Sequence, residues 1–212
     1  MYKEIRLYFT ANYGPFLSAV WEHIAISAVS LAVAVLIAIP FGCLCVWHRG
    51  MKKATLAVFQ TLRIIPSLAI LLLLIPVMGT GFKPAVTALV LLAIPPILLN
   101  VIAGLNGVPE FMLDTAAGLG MSNSQIWRKV RFPLAMPMIL NGTKIAVIEI
   151  IASATLAAKI GAGGLGEIIF TGLGLARTDL LVVGGVAVAI LSLAGVLVFS
   201  ILGKLFFPFT ST

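Results

Sequence analysis

A membrane-embedded helical bundle is the fold class that this sequence predicts, and three observations predict it. Of its 212 residues, 61% are hydrophobic and only 10% are charged, where a soluble domain carries about 25% charged residues. Mean hydropathy is +1.17, and the apolar residues fall into five long runs. The remaining charges gather at the ends of those runs, where the positive-inside rule puts them. The expectation is an all-α, polytopic membrane helical bundle with five transmembrane helices, one domain over 1–212 and no separate soluble domain.

The first span, 24–47, carries no charge and at 1.5 Å per residue reaches about 36 Å, enough for a hydrocarbon core of about 30 Å with some tilt. Arg49, Lys52 and Lys53 follow it. The second, 54–78, is interrupted by Arg63 and Pro66. The third, 84–105, contains Pro95 and Pro96. The fourth, 137–158, carries Lys144 and Glu149, and the fifth, 180–202, is uncharged and stops before Lys204. Ahead of them lies MYKEIRLYFTANYGPF, which has no clean apolar core, so a cleavable signal is not expected and the first long helix serves as an uncleaved insertion signal. With Tyr2, Tyr8, Phe9, Tyr13, Phe16 and Trp21, segment 1–23 reads as an interfacial element on the outer face. Lys3, Glu4, Arg6 and Glu22 flank too little apolar length there for a sixth span.

Charge sets the orientation. If 48–53 is cytoplasmic, so are the stretch after the third span and the C-terminus, and the N-terminus is outside. Arg49, Lys52, Lys53, Arg128, Lys129, Arg131 and Lys204 then lie inside, and Lys3, Arg6, Lys83, Lys159 and Arg177 outside. The net charge of +7 is thus a topology signal, and no nucleic-acid partner is expected. Cys43 and Cys45, one residue apart, make a poor disulfide and lack a second ligand pair for zinc, so they read as free thiols in a helix.

Between the third and fourth spans lies a polar, basic island, DTAAGLGMSNSQIWRKVRFP, at 114–133. Residues 109–133 form a loop long enough to need a job outside the bilayer. Pro109 starts a helix with Glu110 and Asp114 near its positive end, and Gly118 and Gly120 stop it. Ser122 caps a second helix with Gln125 at capping-box spacing. Arg128, Lys129 and Arg131 fall toward that helix's C-terminus, and Pro133 closes it. Phe111, Met112, Ile126 and Trp127 supply apolar surface. Two readings stay open on residue types: a short helix that inserts into a partner's groove, or one that rests on lipid headgroups.

The spacing of the island resembles the EAA loop of ABC-importer permeases: Glu-Ala-Ala, three residues, Gly, nine residues, Ile-x-Leu-Pro. Asp114, Thr115 and Ala116 occupy the first three places, Gly120 the glycine, and Val130, Phe132 and Pro133 the last. Four of the seven residues differ, three conservatively, while the spacing and helix breakers hold. RIIPSLA at 63–69, with Arg63, Pro66 and Ser67, is similar to the IRTIPSLA of permeases in the glycine betaine/carnitine/choline group. ATLAAKIGAGGLG at 154–166 looks like that group's TLAAFIGAGGLG. From residue 24 onward the chain thus resembles an osmoprotectant permease of the type I, MetI-like fold. The resemblance implies a cytoplasmic coupling loop at 109–133, a second permease subunit (identical or homologous), a cytoplasmic ABC ATPase dimer and an extracellular substrate-binding protein. It also implies that ATP and Mg are bound by the ATPase, with no cofactor or metal on this chain. ATP-driven closure of the ATPase dimer would drag the loop and rock the bundle between inward- and outward-open packings.

Three features lie at membrane depth. Arg63 would cost about 2.5–3.5 kcal/mol at a lipid-exposed helix centre, so it should face the interior, with Glu149 as its partner. That pair either lines the pathway or only stabilises the bundle, and Lys144 is expected to snorkel to the cytoplasmic side. Gly161, Gly163 and Gly166 match the dinucleotide fingerprint by letters but lack its strand and βαβ context. With Lys159 and Gly164 they read as a glycine turn near the external gate, or as a plain loop. Pro40, Pro66 and Pro95–Pro96 are candidate kinks. No aromatic cage for a quaternary ammonium assembles from Phe41, Trp47, Phe59 and Phe199, and no catalytic constellation or Walker A lysine is present. The function expected is a permease subunit importing a compatible solute such as glycine betaine, carnitine or choline. A permease for methionine or another amino acid, and a stand-alone carrier or channel, are the alternatives.

Overall fold

The computed structural model describes residues 2–206; Met1 and residues 207–212, which hold the two expected chain ends, lie outside the described residues. The described chain is helical apart from short turns. In order it forms α1 (Tyr2–Trp47), α2 (Arg49–Leu62), α3 (Ser67–Met78), α4 (Phe82–Asn106), α5 (Glu110–Gly118), α6 (Asn123–Ile126), a π turn (Trp127–Arg131), α7 (Phe132–Ala157), a 3₁₀ turn (Ala158–Ile160), α8 (Leu165–Gly174) and α9 (Thr178–Phe206).

The centre of the bundle is α4, packed on both sides by α1 and α7. Its most apolar stretch is 67% buried, against 11% for α9, which lies at the periphery. Small residues let the central helices approach closely, the usual solution where lipid removes the hydrophobic drive to associate. A methyl group on Gly142 of α7 would lie 2.6 Å from Asn100 Cβ and 2.7 Å from the Pro96 oxygen of α4. α4 runs unbroken through Pro95–Pro96, both buried, and Asn100 Nδ2 donates to the Pro96 carbonyl (2.8 Å). Cys43 and Cys45 are free thiols, and Cys45 donates to Thr55 of α2 (3.4 Å).

Four of the expected spans are single helices, and three boundaries need correction. The helix that holds the first span begins well before residue 24. It continues back to Tyr2 across a break at Asn12 (φ −125°, ψ 25°), where two helices join end to end. The break precedes Pro15, which lacks the N–H that would bond the Ala11 carbonyl. The second span is not one kinked helix: α2 and α3 meet at 95°. Finally, the second island helix does not end at Pro133. It passes through the π turn into α7 as one helical rod, Asn123–Ile160. The proline leaves the Lys129 carbonyl without its i+4 donor, and the widened turn just before it, closed by the Phe132 N–H to the Trp127 oxygen, absorbs the mismatch. Arg128, Lys129 and Arg131 therefore sit within the rod, not at a helix C-terminus. Helix α8, a short apolar element in what reads as a loop, is an addition.

Candidate functional site

Three groups of the expected residues assemble at three places on the bundle. The first is the island. Pro109, extended at φ −60° and ψ 135°, starts α5. The helix stops in a Schellman motif, with Gly120 N–H on the Ala117 oxygen (2.9 Å) and Met121 N–H on the Ala116 oxygen (3.2 Å). Gly120 supplies the positive φ of 81° that this motif needs. The capping box then forms: Ser122 N–H donates to Gln125 Oε1 (2.8 Å), and Gln125 N–H to Ser122 Oγ (3.4 Å).

The island's apolar residues divide into two sets. Phe111, Met112 and Leu119 face outward, Leu119 being 79% exposed, while Ala116 is buried. Ile126, Trp127, Val130, Phe132 and Pro133 are half-buried. Trp127 does not form a free knob: its ring lies 5.2 Å from that of Trp47 at the end of α1. Arg131 stacks over Trp127 at 5.5 Å and donates through Nε to the Leu105 carbonyl at the end of α4 (2.9 Å). Exposed Asp114 and Thr115 stand on α5; Thr115 donates to the Phe111 carbonyl (2.6 Å), and Asp114 lines an open cleft with Asn123, Arg128 and Arg131. Leu119 was hidden in the sequence between its two glycines, and Trp47 read only as a span end.

The second group surrounds the broken span. α2 ends at Leu62, a turn carries the Ile64 and Ile65 N–H groups back to Thr61 and Leu62, and Pro66 leads extended (φ −60°, ψ 136°) into α3. Proline has no N–H and pushes the residue before it out of the helical region, so the break falls where the sequence puts it. Arg63 sits at this elbow and donates through Nη2 to Glu149 Oε1 of α7 (3.2 Å). The two side chains remain 47% and 34% exposed. They border a cavity of about 400 Å³ that Pro66, Ser67, Pro95 and Ser153 also line. Non-helical backbone at membrane depth is tolerated where it lines such a space.

The third group is the glycine turn after α7. Gly161, Gly163 and Gly164 all have positive φ (75°, 78° and 85°). Ile160 accepts from Gly81 N–H (2.7 Å), which ties this turn to the α3–α4 turn. Glu22 of α1 accepts from Gly164 N–H (2.9 Å), and His23 beside it, fully buried, meets the Ile151 carbonyl through Nε2 (3.0 Å). A side chain at Gly163 would strike the Glu22 carboxylate, and one at Gly166 the Thr155 carbonyl. Lys159 stands 4.3 Å over the Phe170 ring of α8. The turn is bonded and closely packed, which a plain loop would not require, and it joins two helices rather than a strand and a helix. Glu22 and His23, 142 and 128 residues in sequence from their partners, gave no local signal.

The arrangement separates an anchored helix pair at one end, an ion-paired cavity in the middle and a packed turn beyond it, along α7. A family profile described as "Binding-protein-dependent transport system inner membrane component" matches residues 34–212. The chain is 38% identical over 186 residues to the carnitine transport permease protein OpuCB of Listeria monocytogenes, covering 88% of this chain and 85% of that one. It is 37% identical over 182 residues to the choline transport system permease protein OpuBB of Bacillus subtilis (strain 168), covering 86% and 84%. Among solved structures, the MetNI methionine ABC transporter in inward-facing conformations superposes with a TM-score of 0.73 at 25% identity, over 87% of this chain and 94% of that chain.

Proposed function

Because the chain belongs to the family of binding-protein-dependent transport system inner-membrane components, we propose that it is the permease subunit of an ATP-driven importer for compatible solutes: carnitine, glycine betaine or choline. The observation that carries the coupling role is the island: a capped helix pair presenting Phe111, Met112 and Leu119 outward while Trp127 and Arg131 anchor it to α1 and α4. A bare interfacial helix would need no such anchorage. The exposed trio is the knob for an ATPase groove, and Asp114 and Thr115 border it.

On this reading the island and the C-terminus are cytoplasmic and the N-terminus is outside, with segment 1–23 at the outer interface. ATP and Mg are bound and hydrolysed by a partner ABC ATPase dimer. An extracellular binding protein delivers substrate to the face that carries the glycine turn of Gly161, Gly163, Gly164 and Gly166, and a second permease subunit completes the pathway. Arg63, Pro66, Ser67 and Glu149 line that pathway. The relatives named for carnitine and choline, at 37–38% identity, support the solute class over methionine, which the fold neighbour carries at 25%.

The test is co-expression with a candidate ABC ATPase and substrate-binding protein, followed by reconstitution. Labelled carnitine or glycine betaine should accumulate with ATP and not without it. Uptake that persists without any ATPase and collapses with an uncoupler would sink the proposal in favour of a stand-alone carrier. A Leu119→Asp variant should insert normally yet lose most of the co-purifying ATPase.

A further inference from the structure

The Arg63–Glu149 pair is unusual for an ion pair at membrane depth because neither ion is enclosed. Arg63 is 47% and Glu149 34% exposed, both toward the cavity of about 400 Å³ at the elbow between α2 and α3. Lipid is not what they face, since charged side chains within a bilayer turn to the bundle interior or to a water-filled cavity. The open side therefore meets water and whatever solute passes. A cavity of this size accommodates a small solute with water around it.

From this geometry we infer that Arg63 and Glu149 form a transit site for a zwitterion, a solute carrying a carboxylate and a cationic group a few ångströms apart. The solute enters between the two ions. Its carboxylate takes the place of Glu149 on the Arg63 guanidinium, and its cation takes the place of Arg63 beside Glu149. Every charge then keeps an opposite neighbour. A lone cation would pair with Glu149 and leave Arg63 without a partner in a low-dielectric space, which is costly. The site thus favours zwitterions such as glycine betaine and carnitine over a simple cation such as choline. Its walls are aliphatic or small (Leu92, Pro95, Ser67 and Ser153) with no aromatic ring among the described lining residues. It lacks the cage that makes quaternary ammonium binding tight. Weak binding suits a site that must release its solute.

The inference rests on the transporter reading above, and its test is separable from that reading. In the reconstituted complex, with Cys43 and Cys45 replaced by Ala, a Ser153→Cys variant places a thiol at the cavity wall. A zwitterion, glycine betaine or carnitine, whichever the complex takes up, at about ten times its half-protecting concentration should slow its alkylation by a small maleimide about tenfold, because only about a tenth of the sites then stand open. Choline should slow it far less. Adding Arg63→Gln should abolish the difference between the two. Ser67→Cys gives the same readout from the α3 side if Ser153→Cys does not assemble. Equal protection by choline and zwitterion, or no protection in a complex that still transports, would overturn the transit site and leave the pair a brace. A wild-type complex that takes up no quaternary amine would instead sink the transporter reading.

Discussion

Asn100 and Gly142 decide how near α4 and α7 can lie. A methyl group at 142 would come within 2.6 Å of Asn100 Cβ, closer than two carbons tolerate, and its other near neighbour, the Pro96 carbonyl, is backbone that cannot swing away. Gly142→Ala should destabilise the bundle by about 1–3 kcal/mol, the cost of overpacking a tight core. It would register as a lower melting temperature in detergent, and an unchanged value would show that the two helices can separate freely. At this scale the sequence revealed some partnerships and concealed others. Arg63 and Glu149, 86 residues apart, could be paired in advance because charges at membrane depth are few and each must find an opposite. Glu22 and Gly164 could not be. A carboxylate near a span end has water as an alternative partner, so nothing in its residue type demands a backbone N–H.

Among elements, the break between α2 and α3 and the helix pair of the island were legible because their causes are local. Pro66 disfavours a helix through residue 65; Gly120 and the Ser122–Gln125 box write their turn and cap within four residues. The continuity of α6 with α7 was not legible, because proline normally ends or kinks a helix and only the surrounding packing selects a π turn. The tilted contact of the Trp47 and Trp127 rings joins residues eighty apart and had no periodic signature. It suggests a mechanical role: α1 ends against the root of the island, so displacement of the island moves α1 through two rings and the Arg131 stack. Trp47→Ala should leave the complex assembled and its ATPase active but reduce solute moved per ATP several-fold. Trp47→Phe, which keeps an aromatic face, should retain most of the coupling. Equal transport per ATP in wild type and Trp47→Ala would remove the rings from the path of the motion.

For the whole molecule, the proposed sidedness is open to labelling. Residues Asn123 and Gly174 are both exposed and lie at opposite ends of the rods that carry them toward α7 and α9. In a background with Cys43 and Cys45 replaced by Ala, Asn123→Cys should react with a membrane-impermeant maleimide only once the cytoplasmic face is opened. Gly174→Cys should react in intact cells. The reverse pattern would place the island outside, beyond reach of any cytoplasmic ATPase. The helical rod that runs from the island into the bundle carries one further consequence. Its π turn holds one residue more than an α-helical turn would, and a residue corresponds to about 100° around a helix axis. The turn therefore acts as a phase shifter, setting the compass bearing of the capping box relative to α7 by residue count rather than by contact. A relative that lost a single residue between 127 and 131 would keep every side chain of the island's exposed face and aim that face a quarter-turn astray.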